Sequence, residues 1–578
     1  MRTQLSTALV AAALIGCSST HVPRVVADLV LVDGRIETVD ADFGEVEALA
    51  AADGRILAVG TNEEISDFIG PGTRLVDLAG RRAIPGFIEG HGHFTGIGDA
   101  LQILDFKRAR SWDEVIAMVA RAVAEARPGE WILGRGWHQE KWERVPEDSV
   151  DGFPSHAALS AVSPDNPVCL RHASGHACFF NAKAMQIAGV DRDTPDPPGG
   201  EVKHLPDGEP SGVFNETAMG LVGAAHEAVL AERGLAEREA ALRRSLHLAD
   251  RECLSKGLTS FQDAGSSFET VRVMRLLAEE GALGTRLWVM LRASNEELRL
   301  RLAQASVVGL GDEHFTVRAI KRSIDGALGS RGAWLHEPYS DLPSSSGLNT
   351  ASVESVEETA RIAAENGFQL CVHAIGDRAN TEVLDLYERV LAEFPERRAD
   401  HRWRIEHAQH LRPEDVPRFA ELGVVASMQG VHCTSDAPFV VARLGAQRAA
   451  SGAYLWRSLL DAGVLVTNGT DAPVEDVDPL ASYCATVTRR LASGALFHPA
   501  QRLTRLEALR SYTIDCARAA FEEDRKGSLT PGKLADVVVL SRDILTVPED
   551  ELRAARVLLT IVGGRVLYDA REERIARP

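Results

Sequence analysis

The sequence predicts an α/β protein built on a (β/α)8 TIM barrel, with a small β-sandwich domain made from both termini and an insertion after the first barrel strand. Three observations lead there. Eight short apolar runs alternate with amphipathic helical stretches through the middle of the chain. Both ends are rich in strand patterns, and neither is long enough for a core of its own. The gap after the first apolar run is far longer than any other, so additional structure belongs there.

Taken in order, residues 1–16 carry Arg2 and then an apolar stretch at 8–15, the layout of an export signal. They end in Leu14-Ile15-Gly16-Cys17, which resembles a bacterial lipobox. Cys17 is therefore expected to become the lipidated first residue, with 17–25 as a tether. The expected location is the bacterial cell envelope, on the periplasmic face of the outer membrane in a Gram-negative source. Contact with the membrane is then by lipid anchor only. Residues 26–82 read as short strands. The run 27–32 is followed by Asp33-Gly34, a hairpin-type turn, and 56–59 follows Gly54-Arg55. Residues 525–578 are similar in style, with runs at 534–540, 557–562 and 566–568, so 26–82 and 525–578 are expected to form one composite β-domain.

The barrel is expected over 83–524. Its strands read as 83–91, 258–263, 285–291, 316–321, 369–373, 402–407, 424–427 and 464–468. Helices between them carry start signals. Ser355-x-x-Glu358 and Thr504-x-x-Glu507 have capping-box spacing, and Gly367 sits where a terminating glycine belongs. The insertion, roughly 95–250, has its own helix from Ser111-x-x-Glu114 to Ala126.

Composition narrows the function. Apolar residues at 45% and charged residues at 25% exclude a disordered, collagenous or coiled-coil chain. A net charge of −20 argues against nucleic acid as a partner. No apolar run reaches the roughly 18 residues of a spanning helix. Eight cysteines are too few for a disulfide framework in a chain of 578 residues. The seven after Cys17 show no CxxC spacing and read as buried thiols.

The strand ends carry the chemistry. The first run ends in His91-Gly92-His93, and residues two apart on a strand face the same side. The fifth run ends in His373, the sixth in His407, the fourth in Lys321, and the eighth leads to Asp471. Barrel active sites lie at the C-terminal strand ends. Any one histidine is unremarkable, but six such groups at that end are not. Imidazole and carboxylate together suit zinc or a similar divalent ion. His138, His172, His176, His410 and His432 are not so placed. Trp137 and Trp142 in the insertion read as packing. Gln429 and His432, after the seventh run, lie near the expected mouth and are candidates for substrate contact.

On these motifs the sequence resembles the amidohydrolase superfamily, more narrowly its YtcJ-like (amidohydrolase 3) branch, which includes N-substituted formamide deformylase. The resemblance runs from about residue 27 onward. It rests on PGFIEGHGH at 85–93, TPDPPGGEV at 194–202, GLTSFQDAG at 257–265, DGALGSRGA at 325–333, HAIGDRAN at 373–380, RIEHAQHL at 404–411 and GTDAPVEDVDPL at 469–480. It implies His91, His93, His373 and His407 as metal ligands. It implies Lys321 as the lysine that bridges two ions where carboxylated, and Asp471 as both ligand and catalytic proton shuttle. Asp325 and Arg331 match a branch motif after the fourth strand and are further candidates for substrate contact. Glu89-Gly90 and Asn468-Gly469-Thr470 depart from the more usual residues without removing a ligand.

The implied cofactor is one or two divalent ions, zinc first. Ions so held lower the pKa of water towards about 7 and polarise a carbonyl. The reading is a metal-dependent hydrolase of non-peptide C–N bonds, amide or formamide, acting on a small-molecule substrate and free to form oligomers. The alternatives are a cyclic-amide hydrolase, deaminase or aminoacylase on the same scaffold, or a lipoprotein that binds a ligand without turnover.

Overall fold

The computed structural model describes residues 25–575 apart from 43, 145, 147 and 148. The expected signal and Cys17 lie outside the described residues. None of the described helices is long and apolar enough to cross a membrane.

Eight parallel strands form the barrel: β1 (Phe87–Gly92), β2 (Leu258–Ser266), β3 (Arg286–Leu291), β4 (Phe315–Ser323), β5 (Gln369–Ala374), β6 (Arg404–His407), β7 (Val425–Gln429) and β8 (Val466–Gly469). Each pairs in parallel with its neighbours in chain order. Helices cover the outside, so the strands are buried on both faces and read as near-continuous apolar runs. The circle closes between β8 and β1. The Asp471 N–H donates to the His91 carbonyl at 2.9 Å, and the His93 N–H to the Ala472 carbonyl at 2.7 Å. Glycine permits this approach. A Cβ on Gly90 would lie 2.4 Å from the Asn468 carbonyl oxygen, and one on Gly469 2.7 Å from the His91 nitrogen.

The apolar run 83–91 turns out to serve two sheets. Arg82–Pro85 pairs antiparallel with Val537–Leu540 and parallel with Arg35–Glu37, in the terminal domain, and β1 begins only at Phe87. That domain is two sheets. One orders Arg55–Gly60, Ala48–Ala52, Leu29–Val32 and Arg74–Asp77; the other orders Arg565–Asp569, Val557–Val562, Val537–Leu540, Arg82–Pro85, Arg35–Glu37 and Glu45–Val46. Leu29, Leu31 and Ile56 of the first meet Ile36, Val537 and Ile561 of the second in one core. Asp33-Gly34 therefore is not a hairpin; it carries the chain from one sheet to the other. A tight hairpin is instead at Asp53-Gly54, where both residues have positive φ, 48° and 74°.

The insertion is a six-stranded sheet running from Leu104–Asp105 to Pro210–Glu216, tighter than the expected 95–250. The flanking helices Phe94–Ala100 and Leu235–Ser255 pack on one another and connect β1 and β2 to it. Trp137 and Trp142 are buried in its core with Trp112 and Phe179. Cys169 and Cys178 lie on its neighbouring antiparallel strands with sulfurs 2.9 Å apart. Ser111 and Thr504 cap their helices as expected, and Gly367 ends its helix at φ 72°. At the helix Val353–Asn366 the cap is Ser352 instead of Ser355, and Glu358 is free to meet Arg299 at 2.9 Å.

The barrel and the terminal domain are joined by a buried ion pair. Arg286 at the start of β3 meets Asp536 in two contacts, Nε–Oδ2 at 2.9 Å and a second nitrogen to Oδ1 at 3.0 Å. Both side chains are almost fully buried, so removal of one strands the other's charge. Arg286→Ala is expected to destabilise the protein by about 3–5 kcal/mol, read as a lowered midpoint of chemical unfolding. An unchanged midpoint would mean that the two domains are held by apolar packing alone.

Candidate metal centre

The C-terminal strand ends bring the expected groups into one place. His91 Nε2 and Asp471 Oδ1 are 3.6 Å apart, and His93 Nε2 lies 3.3 Å from the same oxygen. Ligand atoms of His91, His407 and Asp471 all fall within 4.8 Å of one another. The His407 ring is 4.7 Å from that of His91 and 4.4 Å from that of His373, centre to centre. Lys321 Nζ lies 3.5 Å from His91 Nε2. The set requires unusual backbone: His407 and Asp471 are left-handed, with φ of 77° and 56°. Non-glycine residues hold such angles only where the surroundings enforce them, and functional sites are where this recurs.

Two of the imidazoles are oriented from behind. His91 Nδ1 donates to Glu406 Oε2, whose carboxylate is in turn gripped by Arg404 at 2.7 Å. His407 Nδ1 donates to Gln429 Oε1 at 2.7 Å. These bonds leave both Nε2 atoms facing the cluster with lone pairs available. Burial holds His91, His373 and His407 neutral: His91 falls to about 4, helped by the Lys321 charge, and the other two lie well below the usual range. Asp471 stays ionised. Burial alone would raise it, but the His93 imidazole beside it holds it well below the carboxylate range. His373 Nε2 and Asp471 Oδ1 are buried with no well-aligned hydrogen bond among the described residues. Neutral imidazoles, one ionised carboxylate and orphaned ligand atoms pointing at one another fit a divalent ion.

Three of the four expected substrate contacts have partners within the protein. Asp325 is fully buried. Its oxygens accept the N–H groups of Ile375 at 3.0 Å, Gly376 at 2.8 Å and Trp334 at 2.9 Å, and Oδ1 lies 3.4 Å from His373 Nε2. Burial pushes its carboxyl up to about 7 against these bonds. It ties the loop after β4 to the end of β5. Gln429 is occupied by His407 and the Ser427 carbonyl. Arg331 turns to Asp341 at 3.1 Å. His432 remains: its Nδ1 meets Gln409 at 3.0 Å, and its Nε2 has no partner among the described residues.

The sequence reading missed three groups. Glu406 is adjacent to His407, but its partner His91 is 315 residues away. Glu89 accepts from both the N–H and the hydroxyl of Thr470, so two departures from the usual motif contact each other across the β1–β8 seam. His176, set aside at the sequence level, reaches over from the insertion. Its ring is 5.0 Å from that of His373, and its Nδ1 bonds Glu216 at 2.8 Å. A cavity of about 700 Å³ opens above the cluster, with His93, His176, Lys321, His373, His407 and Asp471 in its wall.

The fold and site define a class, an eight-stranded barrel with histidines and an aspartate clustered at its C-terminal rim, and comparison with known proteins narrows it. Residues 74–568 match the model of the amidohydrolase family, Amidohydro_3, and the chain belongs to that family. It is 30% identical to the amidohydrolase YtcJ of Bacillus subtilis (strain 168), over 93% of this chain and 98% of that one. It is also 30% identical to the N-substituted formamide deformylase of Arthrobacter pascens, over 94% and 98%. The crystal structure of an uncharacterized metal-dependent hydrolase from Pyrococcus horikoshii OT3 superposes with a TM-score of 0.70 at 26% identity, covering 90% of this chain and 99% of that one. The YtcJ-like branch and the barrel are thereby established.

Glu406→Gln keeps the shape of the group behind His91 but removes its charge. It is expected to weaken metal affinity about 10–100-fold, measured by competition with a chromophoric chelator. Unaltered affinity would show that Glu406 serves only Arg404.

Proposed function

We propose that this protein is a metal-dependent hydrolase of non-peptide C–N bonds, acting on small amides or formamides. The observation that carries the reading is the cluster of His91, His407 and Asp471, with ligand atoms within 4.8 Å of one another beneath the cavity. A divalent ion bound there, zinc by the chemistry of its ligands, supplies Lewis acidity to a water and to the scissile carbonyl. His91, His93, His373 and His407 would hold it, each imidazole neutral. Asp471 would be a ligand through Oδ1, the oxygen without a well-aligned partner. Its other carboxylate oxygen takes the proton of the attacking water and delivers it to the departing nitrogen. The insertion, through His176, roofs the cavity and limits water. The formamide deformylase relative supports the bond class, and the lipobox-like Leu14-Ile15-Gly16-Cys17 supports a place at the cell envelope.

The test is a metal-loaded preparation assayed against N-formyl, N-acyl and cyclic amides. Turnover of at least one class is expected, falling about 10²–10⁴-fold in Asp471→Asn. Silence across the panel, or full activity of the variant, contradicts the reading.

Lys321 extends it. The residue is buried, and burial lowers its ammonium to about 8. Among the described residues it has no carboxylate in ion-pair contact, and it stands 3.5 Å from His91 Nε2. A protonated lysine would repel an ion in that place. The neutral amine adding CO2, with release of one proton, becomes an anion among cations. Lys321→Ala is expected to lose a second ion and most turnover, with formate or propionate restoring part of both. Native mass spectrometry should show one added CO2, lost on acid treatment. Full metal content and rate in the variant would leave a one-ion site.

A further inference from the structure

The cavity above the metal centre is lined by four arginines, none of them in an ion pair with its acids among the described residues. Arg135 and Arg171 come from the insertion sheet, where they are paired residues on adjacent parallel strands. Arg292 follows β3, and Arg322 follows Lys321 on β4. Gly265 lets these two strands approach closely: a Cβ there would lie 3.2 Å from the Cβ of both Arg292 and Lys321. Among the described residues none of the four guanidinium groups has a carboxylate in ion-pair contact. Arg135 spends its donors on the Pro473 and Ala173 carbonyls, at 2.9 and 3.1 Å. Arg322 spends its own on the Ala293 carbonyl and the Ser355 hydroxyl, at 3.2 and 3.0 Å. The Arg292 guanidinium has no hydrogen bond or ion pair among the described residues, and the residue is exposed.

The acids in the same wall are already engaged. Glu216 holds His176 at 2.8 Å, Asp325 accepts three backbone N–H groups, and Asp471 lies among the histidines. The whole chain carries −20, so a cationic wall here is a local arrangement and not a reflection of composition. Gathering like charges in a partly enclosed space is unfavourable unless an anion joins them. Burial and the neighbouring Arg171 together push Arg135 down to about 10. A neutral amide gains nothing from such a wall. A planar guanidinium fork matches a carboxylate or a phosphoryl group.

We infer that the substrate is a small amide bearing an anionic oxygen group, a carboxylate or phosphonate, held by Arg292 with Arg171 and Arg322 while its carbonyl faces the metal centre. For the bond that is cut this rests on the hydrolase reading; for the anion contact it does not.

The experiment therefore has two readouts on the full-length, metal-loaded protein. Turnover is compared for N-acetylglycine, N-acetylaminomethylphosphonate and neutral N-propylacetamide. Binding is measured by calorimetry with levulinate, in which CH2 replaces the amide N–H of N-acetylglycine, and with neutral 2-pentanone. The expected result is a preference for an anionic substrate in kcat/KM, a ratio that falls about tenfold or more in Arg292→Ala. Levulinate affinity should fall alongside it. Arg292→Lys should recover part of both, which a folding defect would not. Preference for the carboxylate or for the phosphonate identifies the oxyanion, and either supports the inference. If no amide is cleaved but levulinate binds through Arg292, the anion site stands and the hydrolase reading fails. If neutral amides are cleaved equally well, and levulinate binds no better than 2-pentanone, the inference is overturned while the hydrolase reading survives.

Discussion

The site depends on the seam where the barrel closes. Two backbone hydrogen bonds, Asp471 N–H to the His91 carbonyl and His93 N–H to the Ala472 carbonyl, fix β8 against β1 at 2.9 and 2.7 Å. They set the aspartate oxygen between two histidines from the other end of the barrel sequence. Gly90 and Gly469 are needed because any side chain at the crossing would enter backbone. Glu89 and Thr470 seal the same seam with side-chain bonds. The left-handed φ of Asp471 is tolerated because this closure overdetermines it.

Behind that seam lies a polar barrel interior, unusual for a core. Arg404 joins Glu406, Gln262, Ser427 and the Gly90 carbonyl in one buried network. A buried charge is tolerable when paired and fully bonded. The network's output is orientation: Glu406 fixes the tautomer of His91, as Gln429 fixes that of His407. Asp325 does similar work on the loops, joining the segment after β4 to the end of β5 beside His373. Rigidity in this layer holds ligand atoms in place without a flexible loop to place them.

The barrel was legible because each strand is buried on both faces, so apolar runs ending in a polar residue stand out. The six groups at strand ends were legible for the same reason. What was hidden is non-local. Nothing near Glu406 in sequence announces His91, and an aspartate in a family motif does not say whether it meets substrate or three backbone N–H groups. The partners of Gln429 and Arg331 were hidden for the same reason, being set by packing. The run 83–91 reads as one strand because two sheets want the same apolar residues, with only Pro85-Gly86 to mark the change. His176 carries no periodic signature; it arrives by a loop of the insertion.

The closure brings His91, His407 and Asp471 together as a candidate metal centre. Anomalous diffraction from crystals grown with zinc tests it most directly. The account predicts an anomalous peak bonded to Nε2 of His91 and of His407 and to the Asp471 carboxylate. A fully loaded crystal whose only peaks lie elsewhere, with these three side chains unmoved and unligated, would contradict it.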